Sequence, residues 1–298
     1  MTRRIAVLAL ATASCLGSNA PGDDLESVLA RTPDRGRTAI DPVVRGVLTI
    51  TFDDGPSVYT KDIVDVLGRH RVHGTFFVVG RNIAGRRDVL EYIRRGGHQL
   101  ANHSFNHDAQ TLLSEKSFKH GVLAVSANID GRDNGRLFFR FPYGAADEAQ
   151  LRWLSELDID GHRYRPVGWH VDSHDFEYDK GYPDAERSVA VATGLDASCG
   201  GAPNPFADDM LGWTQFVARR SGGGVMLFHD TNEITRDKID AVLTAFESPE
   251  RYWAELPPDR QATYGRFYDC AGADRLLRFE FRPLDDGTYP ALHGAVGD

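Results

Sequence analysis

Six short strand candidates, most of them near-continuous apolar runs, punctuate the chain at residues 46–52, 75–79, 98–102, 137–141, 166–171 and 224–228. Runs of this length, apolar on both sides of the strand alternation, read as strands buried on both faces. Between them, residues 60–69, 87–95, 112–128 and 147–157 carry apolar residues at helical spacing. After the last run Ile239, Val242, Leu243 and Phe246 repeat that period. Strands alternating with helices in one domain require a parallel sheet, because each crossover must travel back along the sheet and cover a face. The fold class is α/β, with the sheet either open or closed into a barrel.

Residues with chemical potential gather where these strands end. Asp53-Asp54-Gly55 follows the first run, His103-Ser104-Phe105-Asn106-His107 the third, and Arg140-Phe141-Pro142-Tyr143-Gly144 closes the fourth. Asp172-Ser173-His174-Asp175 follows the fifth, and Leu227-Phe228-His229-Asp230 closes the sixth. The carboxyl ends of parallel strands form one rim, where active sites of α/β proteins collect.

Composition narrows the chemistry. The chain has 298 residues, 34 Lys and Arg against 43 Asp and Glu, and a formal charge of −9. Such a surface repels phosphate backbones, which argues against a nucleic-acid partner. No run of 18 apolar residues occurs, as a membrane-spanning helix would need. Three Cys are too few for a Cys-rich metal fold, so metal chemistry falls to carboxylates and the 11 His.

His103 and His107 are spaced i, i+4, which on a helical turn places both imidazoles on one face. With Asp54 they would make a three-ligand site with a position open for water. Alone, such a pair is ordinary surface chemistry, and an Asp-Asp-Gly triplet is an ordinary turn. Because strand neighbours point to opposite faces, Asp54 could ligate while Asp53 reaches toward the bound water as a base. Arg140, arriving behind Leu and Phe, should be partly buried and would need a carboxylate partner such as Asp53. His229, at the mouth of an apolar strand, suits a protonated general acid with Asp175 or Asp172 holding its second nitrogen.

In this order the five clusters resemble the polysaccharide deacetylase (NodB-homology) family, carbohydrate esterase family 4, over about residues 47–229 and on through the helix ending near Phe246. The resemblance implies a distorted (β/α) barrel that need not close, and a hydrolase that uses one divalent metal ion, zinc by donor type, to remove acetyl groups from polysaccharides. It implies Asp54, His103 and His107 as metal ligands, Asp53 as base, Arg140 as its partner, and His229 as acid tuned by Asp175. The backbone N–H of Tyr143 would hold the oxyanion, and Leu227 would line the substrate side. Phe176 stands where relatives usually carry Trp, which keeps a ring wall but loses an indole N–H; Trp169 lies near enough in sequence to compensate. The expected substrate is an N-acetylglucosamine cell-wall glycan, peptidoglycan or chitin-like, with an O-acetyl (xylan-type) esterase or a non-catalytic glycan binder as alternatives.

The remaining stretches are organisational. Residues 1–20 have the layout of an export signal, with Arg3 and Arg4 before an apolar run and small residues after it. Ala11-Thr12-Ala13 suits ordinary cleavage, while Thr12-Ala13-Ser14-Cys15 resembles a bacterial lipoprotein box. A lipid on Cys15 would be the chain's membrane contact, and the protein would be secreted, periplasmic or anchored at a cell envelope. Residues 21–44 read as a linker, 45–248 as the catalytic domain with a long loop at 176–224, and 249–298 as an extension. Cys199 and Cys270 could pair or remain as thiols.

Overall fold

The computed structural model describes residues 43–129, 137–179, 199, 204–285 and 288. The export signal, Cys15, most of the linker and much of the 176–224 loop lie outside these residues. The strands are β1 (Val47–Asp53), β2 (Thr75–Val78), β3 (Gln99–Asn102), β4 (Leu137–Phe139), β5 (Asp158–Ile159), β6 (His162–Pro166), β7 (Val171–Asp172), β8 (Gly224–His229) and β9 (Glu280–Phe281). They form one nine-stranded sheet in the order β5-β6-β4-β3-β2-β1-β8-β7, with β9 added beside the start of β1. Every pairing is parallel except the β5–β6 hairpin, and the path from β5 to β7 stays open. The α/β fold with an unclosed barrel is therefore the observed architecture.

Helices α1 (Thr60–His70), α2 (Gly80–Ile83), α3 (Arg87–Arg95), α4 (Glu115–Ser126), α5 (Glu148–Ser155), α6 (Asp175–Asp179), α7 (Met210–Ser221), α8 (Glu233–Glu247), α9 (Pro249–Glu255) and α10 (Pro258–Cys270) fill the intervals. Local signals start several of them. Ser114 caps α4 by accepting from the Ser117 N–H, Asp209 caps α7, and Asp147 with Gln150 forms a capping box at α5. Among the described residues no helix is long and apolar enough to cross a membrane.

Alternation along β1 sorts its side chains into two layers. Leu48, Ile50 and Phe52 pack outward with Phe76, Phe228, Ile63, Leu67, Ile239, Leu243 and Phe246 in the core between sheet and helices. Thr49, Thr51 and Asp53 occupy the other face, where Phe77, Ala101, Phe138, Val167, Val225 and Leu284 form a smaller inner core. Asp53 is thereby carried at the top of the inner face, 3% exposed, by the same period that buries its apolar neighbours.

The fifth expected strand, at 166–171, is not one strand. Its first residue ends β6 beside β4 and its last begins β7 beside β8, while 167–170 run from one to the other. Pro166 has no N–H to continue a ladder. The carbonyls of Val167 and Gly168 accept instead from the Arg140 guanidinium, at 3.2 and 2.8 Å. Backbone bonds from the Val167 N–H to the Phe139 carbonyl and from the His170 N–H to the Val225 carbonyl tie the two ends of this crossing to the sheet.

The described part of the terminal stretch, residues 249–285, packs into the same body. β9 pairs with Val47 and Leu48, and Tyr264, Phe267 and Tyr268 of α10 join Phe206, Trp213 and Phe216 in an aromatic cluster. Cys199 and Cys270 form a disulfide that ties the loop before α7 to the end of α10.

Candidate active site

The site is assembled from the ends of β1, β3, β4 and β8. Asp53 and His229 are paired residues in the β1–β8 register. Strand alternation would send Asp54 to the far side, but its φ of 76° turns the chain back, so both neighbouring carboxylates serve one site.

The two histidines are presented by a loop, not by the helical turn their spacing suggested. Ser104 and His107 both adopt left-handed backbone, at φ 66° and 62°. Asn102 accepts from the Ser104 N–H through its side chain, and the Ser104 hydroxyl accepts from the His107 N–H. The result brings the imidazole centroids to 5.0 Å. His103 Nε2 and His107 Nε2 lie 3.4 and 3.1 Å from Asp54 Oδ1.

The donor set fits a divalent cation. One ligand atom from each of Asp54, His103 and His107 lies within 4.8 Å of the others. Asp54 Oδ1 is buried facing the two imidazole Nε2 atoms without a well-aligned hydrogen bond to either, an arrangement that a shared cation would satisfy. His103 Nδ1 donates to the Arg140 carbonyl at 2.8 Å, since a carbonyl can only accept. That bond selects the tautomer whose Nε2 lone pair faces Asp54. Two imidazole nitrogens and one carboxylate suit zinc.

Arg140 is fully buried and meets Asp53 through Nη1 at 2.8 Å, with the Thr51 hydroxyl on the same nitrogen at 2.7 Å. Its guanidinium lies over the Phe77 ring at 4.2 Å and the Trp169 ring at 5.7 Å. With both neighbouring carbonyls also engaged, the side chain has one available pose. Asp53 Oδ2 stays free of it, 3.6 Å from His103 Nε2.

On the opposite wall, His229 Nδ1 and Asp175 Oδ1 lie 2.6 Å apart, and Asp175 Oδ2 accepts from the His229 N–H and the Thr235 hydroxyl. Burial disfavours the charged imidazole, yet Asp175, and then Asp54 and Asp53, outweigh it and push its pKa up to about 10. Asp175, fully buried, is held below its usual value by His229 against the same penalty.

The other sequence-predicted residues fall differently. Tyr143, at φ 62°, sets its ring edge-on to His107 at 4.6 Å. Phe176 meets the His229 ring edge-on at 5.7 Å. Trp169 does not replace the missing indole donor: its N–H is spent on Asp172 at 3.1 Å. Leu227 is 4% exposed within β8. Thr51 and Thr235 were not singled out from the sequence. Thr51 shares the inward period of Asp53 and was legible in principle; Thr235, a hydroxyl early in α8, carries no local signal.

Known proteins bear on this geometry. Residues 41–162 match the model of the polysaccharide deacetylase family. A peptidoglycan-N-acetylglucosamine deacetylase of Bacillus cereus is 31% identical over 139 residues, covering 46% of this chain and 48% of that protein. A chitin deacetylase of Arthroderma benhamiae is 31% identical over 144 residues, 45% of this chain and 36% of that one. The crystal structure of a Bacillus cereus polysaccharide deacetylase shares the fold, with a TM-score of 0.50 at 24% identity over 69% of this chain and 89% of that one. The chain spans about half or less of the length of the curated relatives it matches first. Residues 41–162 thus match the polysaccharide deacetylase family, and over less than half of its length the chain is similar to deacetylases of peptidoglycan and chitin.

Proposed function

We propose that the protein is a metal-dependent deacetylase that hydrolyses the N-acetyl groups of N-acetylglucosamine polymers in a cell wall, peptidoglycan first and chitin-like glycans second. The observation that carries this reading is the register pairing of Asp53, fixed by a buried arginine, with His229, held charged by a buried aspartate, beside the Asp54–His103–His107 cluster. A mere sugar binder has no use for an acid and a base arranged in this way.

Asp54, His103 and His107 would hold the cation, which when bound supplies Lewis acidity and makes water more acidic. Asp53, aimed by Arg140 and Thr51, takes a proton from the attacking water. The Tyr143 backbone N–H is assigned to the developing oxyanion. An amine nitrogen leaves poorly unless protonated, and His229 supplies that proton while Asp175 keeps its Nδ1 engaged. Phe176 stiffens the imidazole and walls the groove; Leu227 backs it from below.

Residues 45–248 would form the catalytic unit, with 249–298 as its extension. The Cys199–Cys270 disulfide supports an oxidising compartment, in keeping with export by the N-terminal signal. Peptidoglycan relatives point to the cell envelope as the place of action.

Acetate release decides the reading. N-acetylglucosamine oligomers and N-acetylated peptidoglycan should yield acetate, chelation should abolish it, and zinc should restore it. Release from acetylated xylan alone would replace the amide reading by the ester one, and no release from any glycan by the metal-loaded protein would refute both.

A further inference from the structure

Asp230 follows His229 at the end of β8, and the chemistry proposed above does not use it. Its side chain is 1% exposed. Four contacts join it to the segment that carries Asp53 and Asp54. Its N–H donates to the Asp53 carbonyl at 3.3 Å, and its own carbonyl accepts from the Ser57 hydroxyl. Carboxyl Oδ2 accepts from the hydroxyl of Thr60, first residue of α1, at 2.5 Å. Gly55 lies against the carboxyl so closely that a Cβ there would come within 2.2 and 2.3 Å of its two oxygens. Meanwhile Oδ1 is buried with no hydrogen-bond partner among the described residues.

A carboxyl is an expensive way to fill space beside two other aspartates. Burying it with one oxygen unpaired carries a desolvation penalty that an apolar side chain of similar volume would avoid. Its position explains the expense, because the Asp53-Asp54-Gly55 turn rests on this group while β8 holds it from behind. The left-handed residue Asp54 is the next residue before that contact.

We propose that Asp230 is a positioning residue whose carboxyl seats the Asp53-Asp54-Gly55 turn against the His229 strand, and so fixes the direction in which Asp54 presents its ligand oxygen. The inference rests on the metal-dependent reading of Asp54. Residues that orient a metal ligand from behind change metal affinity by about 10–100-fold when removed. Asp230→Ala should therefore weaken zinc binding by about that factor, measured by competition calorimetry on the full chain. Asp230→Asn keeps the shape and an acceptor for Thr60, and should stay within about threefold of wild type. In the metal-free protein, amide exchange at residues 53–57 should accelerate about tenfold or more in the alanine variant, while β3 exchange stays unchanged.

Asp230→Ala with wild-type zinc affinity and wild-type turn exchange would overturn the proposal, as would equal losses in the Ala and Asn variants. Should the Ala variant not fold, Thr60→Val removes the same support from Oδ2 and should weaken zinc binding by at least about threefold; wild-type affinity there overturns the proposal as well. Failure of the underlying reading looks different. Wild type would then bind no stoichiometric zinc, or Asp54→Ala would bind it unchanged, whereas the metal-free exchange experiment still judges the seat.

Discussion

Asp53 and His229 face each other as partners in the register of two adjacent parallel strands, each held by a buried residue of opposite charge brought in from elsewhere. Asp53 receives Arg140 from the end of β4, and His229 receives Asp175 from the start of α6. Backbone pairing thus sets the spacing of the base and the acid, while two ion pairs set their aim.

Removing the acid should separate amide from ester chemistry. His229→Ala is expected to lower kcat on N-acetylglucosamine oligomers by about 10²–10⁴-fold, the usual span for a lost general acid, with KM little changed. An activated aryl acetate needs no proton on its leaving group and should lose far less. Equal losses on both substrates would remove His229 from the role of acid.

The Asp175 carboxylate should show itself in the alkaline limb of the pH–rate profile. It is the strongest influence raising the His229 pKa, so the ring keeps its proton, and its competence as acid, to higher pH than an ordinary imidazole. In Asp175→Asn burial is no longer opposed by this charge, the pKa falls, and activity should decline at lower pH than in wild type. Profiles of kcat/KM for the two proteins, measured with the same metal, give the comparison; an unmoved alkaline limb contradicts the assignment.

Arg140 should prove structural and functional at once. Arg140→Met leaves the buried Asp53 carboxyl without its cationic partner, and it strips the carbonyls of Val167 and Gly168 of their donor. Breaking a buried pair of this kind costs about 3–5 kcal/mol. Chemical denaturation should register a loss of that order, and turnover should fall even where the variant remains folded. A variant of wild-type stability would mean that this crossing is held by something else.

His98 predicts an acid-sensitive stability unrelated to catalysis. Burial, with a smaller push from His73, lowers it to about 4, and its Nδ1 accepts from the Gly74 N–H. The unfolded chain takes up a proton on this ring near pH 6.5, the folded protein only near 4. Stability is therefore unaffected above pH 6.5 and falls as pH drops from 6.5 to 4, by on the order of 3 kcal/mol from this residue. Urea midpoints across that range should fall less steeply in His98→Gln, and identical slopes would refute the effect.

The sequence by itself determined the elements and the rim. Period-two and period-3.6 patterns reflect which faces are buried, a local property, so β1, β2, β3, β4 and β8 lie close to where the apolar runs placed them, and the polar clusters lie at their ends. Only tertiary structure decided what depends on backbone angles or on distant neighbours. Left-handed φ at Asp54, Ser104 and His107 turned alternating or loop residues into one converging set, and no periodicity encodes that choice. The stretch 166–171 divided between β6 and β7, and Arg140, remote in sequence, meets the carbonyls between them. Trp169 turned its N–H to Asp172, Thr235 reached Asp175, and Cys199 met Cys270 across 71 residues. Each of these is a meeting of distant segments, and composition at either end was compatible with several partners until packing selected one.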